Sequence, residues 1–417
     1  MQYTTLCLIG ITSLVGSISC GESVSANTDA RIFKLDDVVE LALNRNPILA
    51  AAEGVVEQSQ GQRVVAGAYL NPSITGSAGP GAIRDPSTGA RVTERTITVE
   101  QPLEWLGKRA ARLRAADAGV AGALAGVEES RVILMAEVKA AFFQLLFAQQ
   151  DAQLAKENVK TVEDLVKLIS ARVSTKEAPK FELVKATVEL QKSRKDLARA
   201  DNALLVARTK LNTVTGKALG ENYQIQGEFE AVRSGLDLRQ LTEQALKGHP
   251  ALRRQQKAVE QAEFTIEQER ASRVPNVAVF GVYHRETGDE SVTAGLSVPL
   301  PIWYRRQGEI SAAMGAQRRA QAERERVQQE LEQTITQHFQ EARTAQEQIR
   351  VFEQGLLYQA KEALDIAQFS FRQGVASLLE VIDTQRVYRQ TLLEYAQARA
   401  DHSIALARLE RAVGGLP

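Results

Sequence analysis

Thiols are almost absent from this 417-residue chain: its two cysteines, Cys7 and Cys20, both lie within the first twenty positions. A chain cut after Ala26 would carry no thiol at all, which excludes disulfides and thiolate metal sites. Aromatic residues make up only 5% of the sequence, sparse for one large compact core, whereas Ala, Gln, Glu and Arg dominate long stretches, the composition of extended helices. Charge of one sign is missing too. With 51 basic and 51 acidic residues the net charge is zero, so nothing calls for a polyanionic partner and no nucleic acid is expected. The four histidines, His249, His284, His338 and His402, stand far apart, and no His-x-x-x-His or Cys-x-x-Cys spacing occurs, so the sequence offers no metal site. A Gly-rich phosphate loop, a nucleophile elbow and a convergent His-acid pair are also missing, which leaves no basis for an enzyme or for a bound cofactor.

Residues 6–18 form an apolar and small-residue run of signal-peptide length, followed by Val24-Ser25-Ala26, a small-residue pattern that suits cleavage after Ala26. The run is too short to span a bilayer. No Lys or Arg precedes Arg31, so the usual positive n-region is missing. Export is still the expectation, because no packed-core role suits the segment. Cys20, preceded by Ser17-Ile18-Ser19, has two readings: a lipidated cysteine, or a small residue in a removed peptide.

What the chain does have is a repeat. Ala42-Leu43-Asn44-Arg45-Asn46-Pro47 is answered by Ala245-Leu246-Lys247-Gly248-His249-Pro250, and Pro72 by Pro275, at the same offset. Pro102-Leu103-Glu104-Trp105 is answered by Pro299-Leu300-Pro301-Ile302-Trp303, and 182–216 by 380–414. The pattern is a tandem duplication. It divides the chain into a signal peptide (1–26), a first repeat (27–216), a Gly-containing connector (217–235) and a second repeat (236–417).

Each repeat opens with a helical pattern interrupted at its X-Pro pair, with Asp36 and Asp237 as cap candidates. A hairpin follows, at about 72–101 and about 275–299. In the second, Val277, Val279, Gly281 and Tyr283 alternate with Ala278, Phe280, Val282 and His284, and Thr287-Gly288-Asp289 makes the turn. The strands have the nine to eleven residues that cross a bilayer when tilted. In the first hairpin neither face is strongly apolar, so its lipid-facing register stays open. Long helices without internal proline come next, at 104–172 and 305–372, each about 100 Å in length. Val138, Leu145, Ala152, Val159 and Val166 recur every seven residues, as do Ala141, Ala148, Ala155, Val162 and Ile169, a coiled-coil seam of small residues. Tips at about 173–179 and 373–377 reverse the chain into return helices.

Four strands cannot close a barrel, and an open sheet in a membrane leaves its edge groups unsatisfied. Export plus two membrane-length hairpins therefore demands strands from other copies of the chain, and three copies would supply twelve. At this point the chain resembles the TolC-like outer membrane efflux family. The resemblance rests on the Ala-Leu-x-x-x-Pro openings at Pro47 and Pro250, on Gln101-Pro102-Leu103 and Val298-Pro299-Leu300, and on the tip segment from Gly374 to Gln385. The segments 100–112 and 298–310 are similar to the cobalt-zinc-cadmium resistance branch. The resemblance implies a mainly helical homotrimer with a twelve-stranded membrane β-barrel and a helical coiled-coil tunnel reaching from the outer membrane into the periplasm. It also implies a periplasmic adaptor (membrane fusion) protein and an inner-membrane RND-type transporter as partners, and divalent heavy-metal cations as cargo. Organic solutes or a secreted polypeptide through the same duct, and a periplasmic coiled-coil scaffold, are the rival readings.

Glu380 and Asp383 lie three apart and share one helix face. The family resemblance makes them a paired acidic gate at the periplasmic mouth; a solvated helix face is the plain alternative. The basic residue that some relatives place after the tip glycine is here Ala376. Arg172, Val173, Ser174 and Arg372, Gln373, Gly374 mark the two tips, read either as adaptor-docking points or as simple turns, with Gly374 expected in a left-handed conformation. Trp105 and Trp303 follow the strands at equivalent places and suit an interfacial aromatic belt in outer membrane lipid, or packing at the barrel-to-helix junction.

Overall fold

A computed structural model describes residues 31–84, 86–232, 235–286 and 289–415. The expected signal peptide with Cys7, Cys20 and the Ala26 cleavage point, and the turn residues Thr287 and Gly288, lie outside the described residues.

After a short strand β1 (Arg31–Phe33), helices α1 (Leu35–Arg45) and α2 (Pro47–Gly67) meet at the Asn46-Pro47 joint. Strands β2 (Ser73–Arg84) and β3 (Arg91–Leu103) form the first hairpin, α3 (Lys108–Ser174) runs for 67 residues, and α4 (Lys180–Val214) returns. The second half repeats the order. A short strand β4 (Tyr223–Ile225) leads to α5 (Leu238–Gly248), α6 (Pro250–Ala271), the hairpin β5 (Val277–Glu286) and β6 (Asp289–Ser297), then α7 (Gln307–Val351), α8 (Leu357–Arg372) and the return helix α9 (Leu378–Val413). The two hairpins join edge to edge as one antiparallel sheet in the order β2-β3-β5-β6. Helices extend from one end of this sheet as a long stalk.

Three local expectations change. Asp237 does cap α5, its carboxylate accepting the Arg239 N–H at 2.9 Å, but α1 starts two residues earlier than Asp36 would allow: Lys34 is its cap residue, and Asp37 accepts the Lys34 N–H at 2.9 Å. The second long helix is not continuous. A π-helical turn at Phe352–Leu356, where Gly355 takes φ 152°, separates α7 from α8. Such a turn adds one residue per coil and redirects the helix. The connector is not a bare linker either. β4 pairs in parallel with β1, and Tyr223, Ile225 and Phe229 are buried in the main core beside Leu134, Val138, Phe142 and Phe143. The Tyr223 hydroxyl donates to the Arg208 carbonyl at 2.6 Å, and burial pushes its pKa up to about 12.

The heptad seam of α3 faces inward, with Val138, Leu145 and Ala152 of one lane and Ala141, Ala148, Ala155, Val162 and Ile169 of the other all buried. Small side chains at these positions let α3 approach α4 closely around Ala152, Ala155 and Ala200.

The duplicated X-Pro joints use one design with two chemistries. Asn46 accepts the Ile48 N–H on Oδ1 (2.9 Å) and donates from Nδ2 to the Val214 carbonyl at the end of α4 (2.5 Å). His249 does the same: Nδ1 accepts the Ala251 N–H at 3.1 Å, and Nε2 donates to the Arg411 carbonyl near the end of α9 at 3.0 Å. Each return helix then ends in a left-handed glycine, Gly216 or Gly414, packed against the joint. These partners require neutral His249 with its proton on Nε2. Burial lowers its pKa, with the Arg411 carbonyl and Glu129 acting the other way and Arg411 and Arg253 adding to the lowering. A depressed folded-state pKa means that the unfolded chain takes up the proton first. The joint therefore contributes its full stability above about pH 6.5 and loses it as pH falls towards the folded value. Thermal unfolding of the detergent-solubilised protein should show wild type and His249→Asn diverging below about pH 6.5, with the asparagine variant losing less. Parallel pH profiles would show that the joint is indifferent to protonation.

Candidate functional site

The stalk ends in two helical hairpin tips built on one plan. At the first, Glu177 and Ala178 donate their N–H groups to the Arg172 carbonyl, and Lys176 turns the chain at φ 65°. At the second, Val375 and Ala376 donate to Ser370, and Gly374 makes the same left-handed turn at φ 75°. Glycine does this without strain, while Lys176 carries a penalty of about 1 kcal/mol.

The two tips are joined. The Arg172 guanidinium lies 4.9 Å from the Phe371 ring centroid and donates to the Phe371 and Arg372 carbonyls at 3.5 and 3.4 Å, meeting the negative end of α8. Beneath it, Ile169, Ala186, Phe371, Leu378, Val381 and Ile382 form a small apolar core. Ser174 closes back on its own helix, donating to the Ala171 carbonyl at 2.7 Å, and Val173 packs against the tip core, while Arg372, Gln373 and Gly374 remain exposed.

The two candidate gate carboxylates are not equivalent. Ser377 caps α9, and Glu380 completes a capping box: its carboxylate accepts the Ser377 N–H at 2.9 Å, while the Glu380 N–H donates to Ser377 Oγ at 3.3 Å. Asp383 is exposed and lies 3.6 Å from Arg386 Nη1. Arg386 in turn holds Glu189 of α4 through two bonds, Nε to Oε1 at 2.9 Å and a shorter one from Nη2 to Oε2. One turn on, Arg389 pairs with Asp196 at 3.2 Å, and Gln385 donates to Asn158 of α3 at 3.0 Å. These links bridge a cleft of about 710 Å³ between α3, α4 and α9, bordered by Lys192 and by those same charged residues. Sequence reasoning missed Arg386, Glu189, Arg389 and Asp196. Only the i, i+3 spacing of Asp383 and Arg386 hinted at the first; the cross-helix partners had no local signal.

At the other end of the molecule, register decides which way each strand faces. Residues directly opposite in neighbouring strands share a face. Ile74 pairs with Val99 and Gly76 with Ile97; Ile97 then pairs with Tyr283 and Val99 with Gly281; Tyr283 pairs with Val292 and Val279 with Leu296. One face is thus mainly apolar across all four strands, and the small residues Gly76, Ala78 and Pro80 of the first hairpin belong to it. The opposite face carries Glu94, Thr96, Thr98, His284, Ser291 and Thr293, with His284 Nδ1 3.1 Å from Thr96 Oγ1. Trp105 and Trp303 stand just past the strands at the stalk end of the sheet, 51% and 93% exposed. Among the described residues no group of three or more His, Cys, Asp or Glu converges as a metal site.

The outer membrane efflux protein family model matches residues 38–217 and again 241–415, one copy per half and most of the chain together. The chain belongs to the outer membrane efflux protein family. It is 24% identical over 382 residues to the cobalt-zinc-cadmium resistance protein CzcC of Cupriavidus metallidurans, covering 91% of this chain and 90% of the relative. It is 22% identical over 411 residues to the pyoverdine export outer membrane protein OpmQ of Pseudomonas putida, covering 92% and 86%. Its fold matches the crystal structure of the Campylobacter jejuni CmeC outer membrane channel with a TM-score of 0.78 at 18% identity, over 98% of this chain and 94% of that one. Family and fold together make this an outer membrane efflux channel that reaches into the periplasm, and a channel rather than an enzyme.

Proposed function

We propose that three copies of this chain close a twelve-stranded barrel and a continuous helical duct that passes divalent heavy-metal cations from periplasm to exterior. The observation that carries this reading is the four-stranded sheet: β2 and β6 are its open edges, and one of its faces is mainly apolar across all four strands, with Arg95, Arg285 and Glu290 gathered towards its far end. An unpaired edge in lipid leaves every second backbone group unsatisfied, and pairing β6 of one copy with β2 of the next removes the problem. Ten residues of β3 and its continuation separate Arg95 from Trp105 on the apolar side. At about 3.3 Å per residue and a strand tilt of about 40°, that distance spans roughly 25 Å, the height of a barrel's lipid-facing band.

The duct is passive, and an adaptor and an inner-membrane RND-type transporter supply cargo and energy. The two tips, joined through Arg172, are the docking surface for the adaptor. Asp383 is the principal acidic group of the periplasmic gate, and Glu380 contributes charge while holding the start of α9. No group of metal ligands converges among the described residues, which suits cations in transit because strong coordination would slow their exit. The OpmQ likeness supports a second cargo, an organic solute, through the same duct.

The test is replacement of the outer membrane component in a cation efflux system and in a pyoverdine or dye export system, each by this chain. Restored zinc, cobalt or cadmium tolerance without restored organic export supports the metal reading. Restored organic export alone overturns it.

A further inference from the structure

At the junction of sheet and stalk, charge and exposed apolar surface are distributed unevenly. All four strand-to-helix crossings lie at one end of the sheet, since Ser73, Leu103, Val277 and Ser297 fall there in the register. Around this level Trp105, Leu106, Leu300, Ile302 and Trp303 are exposed, continuing the apolar face beyond the strands. Three acidic residues of the junction are already occupied, and Glu100, opposite Ser73, belongs to the polar face of the sheet rather than to the apolar one. Glu104 pairs with Arg112, Glu269 accepts from Arg306 Nε at 3.0 Å, and Glu309 accepts the Tyr304 hydroxyl proton at 2.6 Å. Lys108 is buried and donates to Asn276 Oδ1 at 2.6 Å, and Arg109 stacks on Tyr69 and caps the Gly67 carbonyl. Three arginines are left over. Arg270, Arg273 and Arg305 are exposed and have no carboxylate within ion-pairing distance among the described residues.

We propose that this junction is a binding surface for the anionic glycerophospholipids of the periplasm-facing leaflet, with Arg273 and Arg305 holding headgroup phosphates and Trp105 and Trp303 seated among the upper acyl carbons and glycerol. The proposal rests on the barrel reading above and adds a lipid class to it. A guanidinium offers a planar fork that matches a phosphate, and indole rings favour the interface between headgroup and acyl chain. Continuity with the apolar sheet face fixes the occupant as a membrane lipid, and the surplus of unpaired arginine fixes its charge. Each basic group near an anionic lipid surface favours binding by about fivefold at moderate salt, so the two together should give a preference of about tenfold or more.

The chain contains two tryptophans, and both lie in this belt, so intrinsic fluorescence reads the belt alone. The full-length assembled protein is titrated with acyl-brominated phosphatidylglycerol and, separately, acyl-brominated phosphatidylcholine in mixed micelles. Phosphatidylglycerol is expected to quench at about tenfold lower mole fraction in about 50 mM salt, with the preference lost in about 0.5 M salt. The Arg273→Gln/Arg305→Gln variant should lose the preference while keeping quenching by both lipids, and Arg273→Lys/Arg305→Lys should retain most of it. Equal quenching by the two lipids in wild type overturns the proposal and leaves the membrane belt standing. Absence of quenching by either lipid overturns both, because it places the tryptophans outside the bilayer. Wild-type salt dependence decides the matter even if the glutamine variant assembles poorly.

Discussion

Replacing Asp383 by asparagine lowers the cation preference of the reconstituted channel by about fivefold, measured from the reversal potential across a planar bilayer under a salt gradient. In the proposed trimer three such carboxylates surround one opening, and a charge about 4 Å from a passing ion in a water-like medium contributes about 1 kcal/mol. Asp383 is exposed and its partner Arg386 is committed to Glu189 through two bonds, so most of its charge remains available to the opening. Glu380→Ala should behave differently. Its carboxylate closes a capping box, so the main effect is a loss of about 1 kcal/mol at the start of α9, seen as faster proteolysis of the tip, with a smaller change in selectivity. Arg386→Ala removes the bridge between α9 and α4 and should raise conductance severalfold by freeing the tip of α9. Equal effects of the two acidic variants on selectivity would show that the cap does not hold Glu380 away from the opening.

Phe142→Ala is expected to cost about 3–5 kcal/mol, enough to abolish assembled protein at growth temperature. The ring is fully buried, meets Phe143 edge-on at 5.9 Å, and lies so close to Gly227 that a methyl group there would touch it at 3.1 Å. This residue joins the two halves, since α3 of the first repeat packs through it against the segment between repeats. The control is Phe181→Ala, whose side chain is exposed near the first tip and should change stability little. Thermal unfolding in detergent distinguishes the two, and similar melting temperatures for both variants would contradict the packing account.

Much of the architecture was legible because its determinants are local. Asn46-Pro47 and His249-Pro250 break helices by the geometry of proline, alternation marks Val277 to His284 as a strand, and the seven-residue spacing from Val138 to Ile169 marks a seam. Features that depend on distant partners were not. Which residues of the first hairpin join the apolar face is ambiguous in Ser73-Ile74-Thr75-Gly76 alone and becomes determined only when Ile74 pairs with Val99 and Ile97 with Tyr283. β1 and β4 have three residues each, too few for any pattern, and form because they meet across nearly two hundred residues. The π-turn at Gly355 had only a helical glycine as its sign. At the proposed gate the missed information was of another kind. Ser377-Leu378-Leu379-Glu380 carries a capping-box spacing, which gives Glu380 a structural task beside its charge. The bridge from Arg386 to Glu189 joins two return helices and has no signature in either one.

The central claim is that assembled copies of this chain form a transmembrane duct. Single-channel recording from the purified, unheated outer-membrane protein in planar bilayers tests it most directly. The expected result is discrete, long-lived, cation-preferring conductance steps that disappear when the assembly is heated to monomers. An intact, membrane-inserted assembly that passes no current, with Arg386→Ala equally silent, would contradict the account.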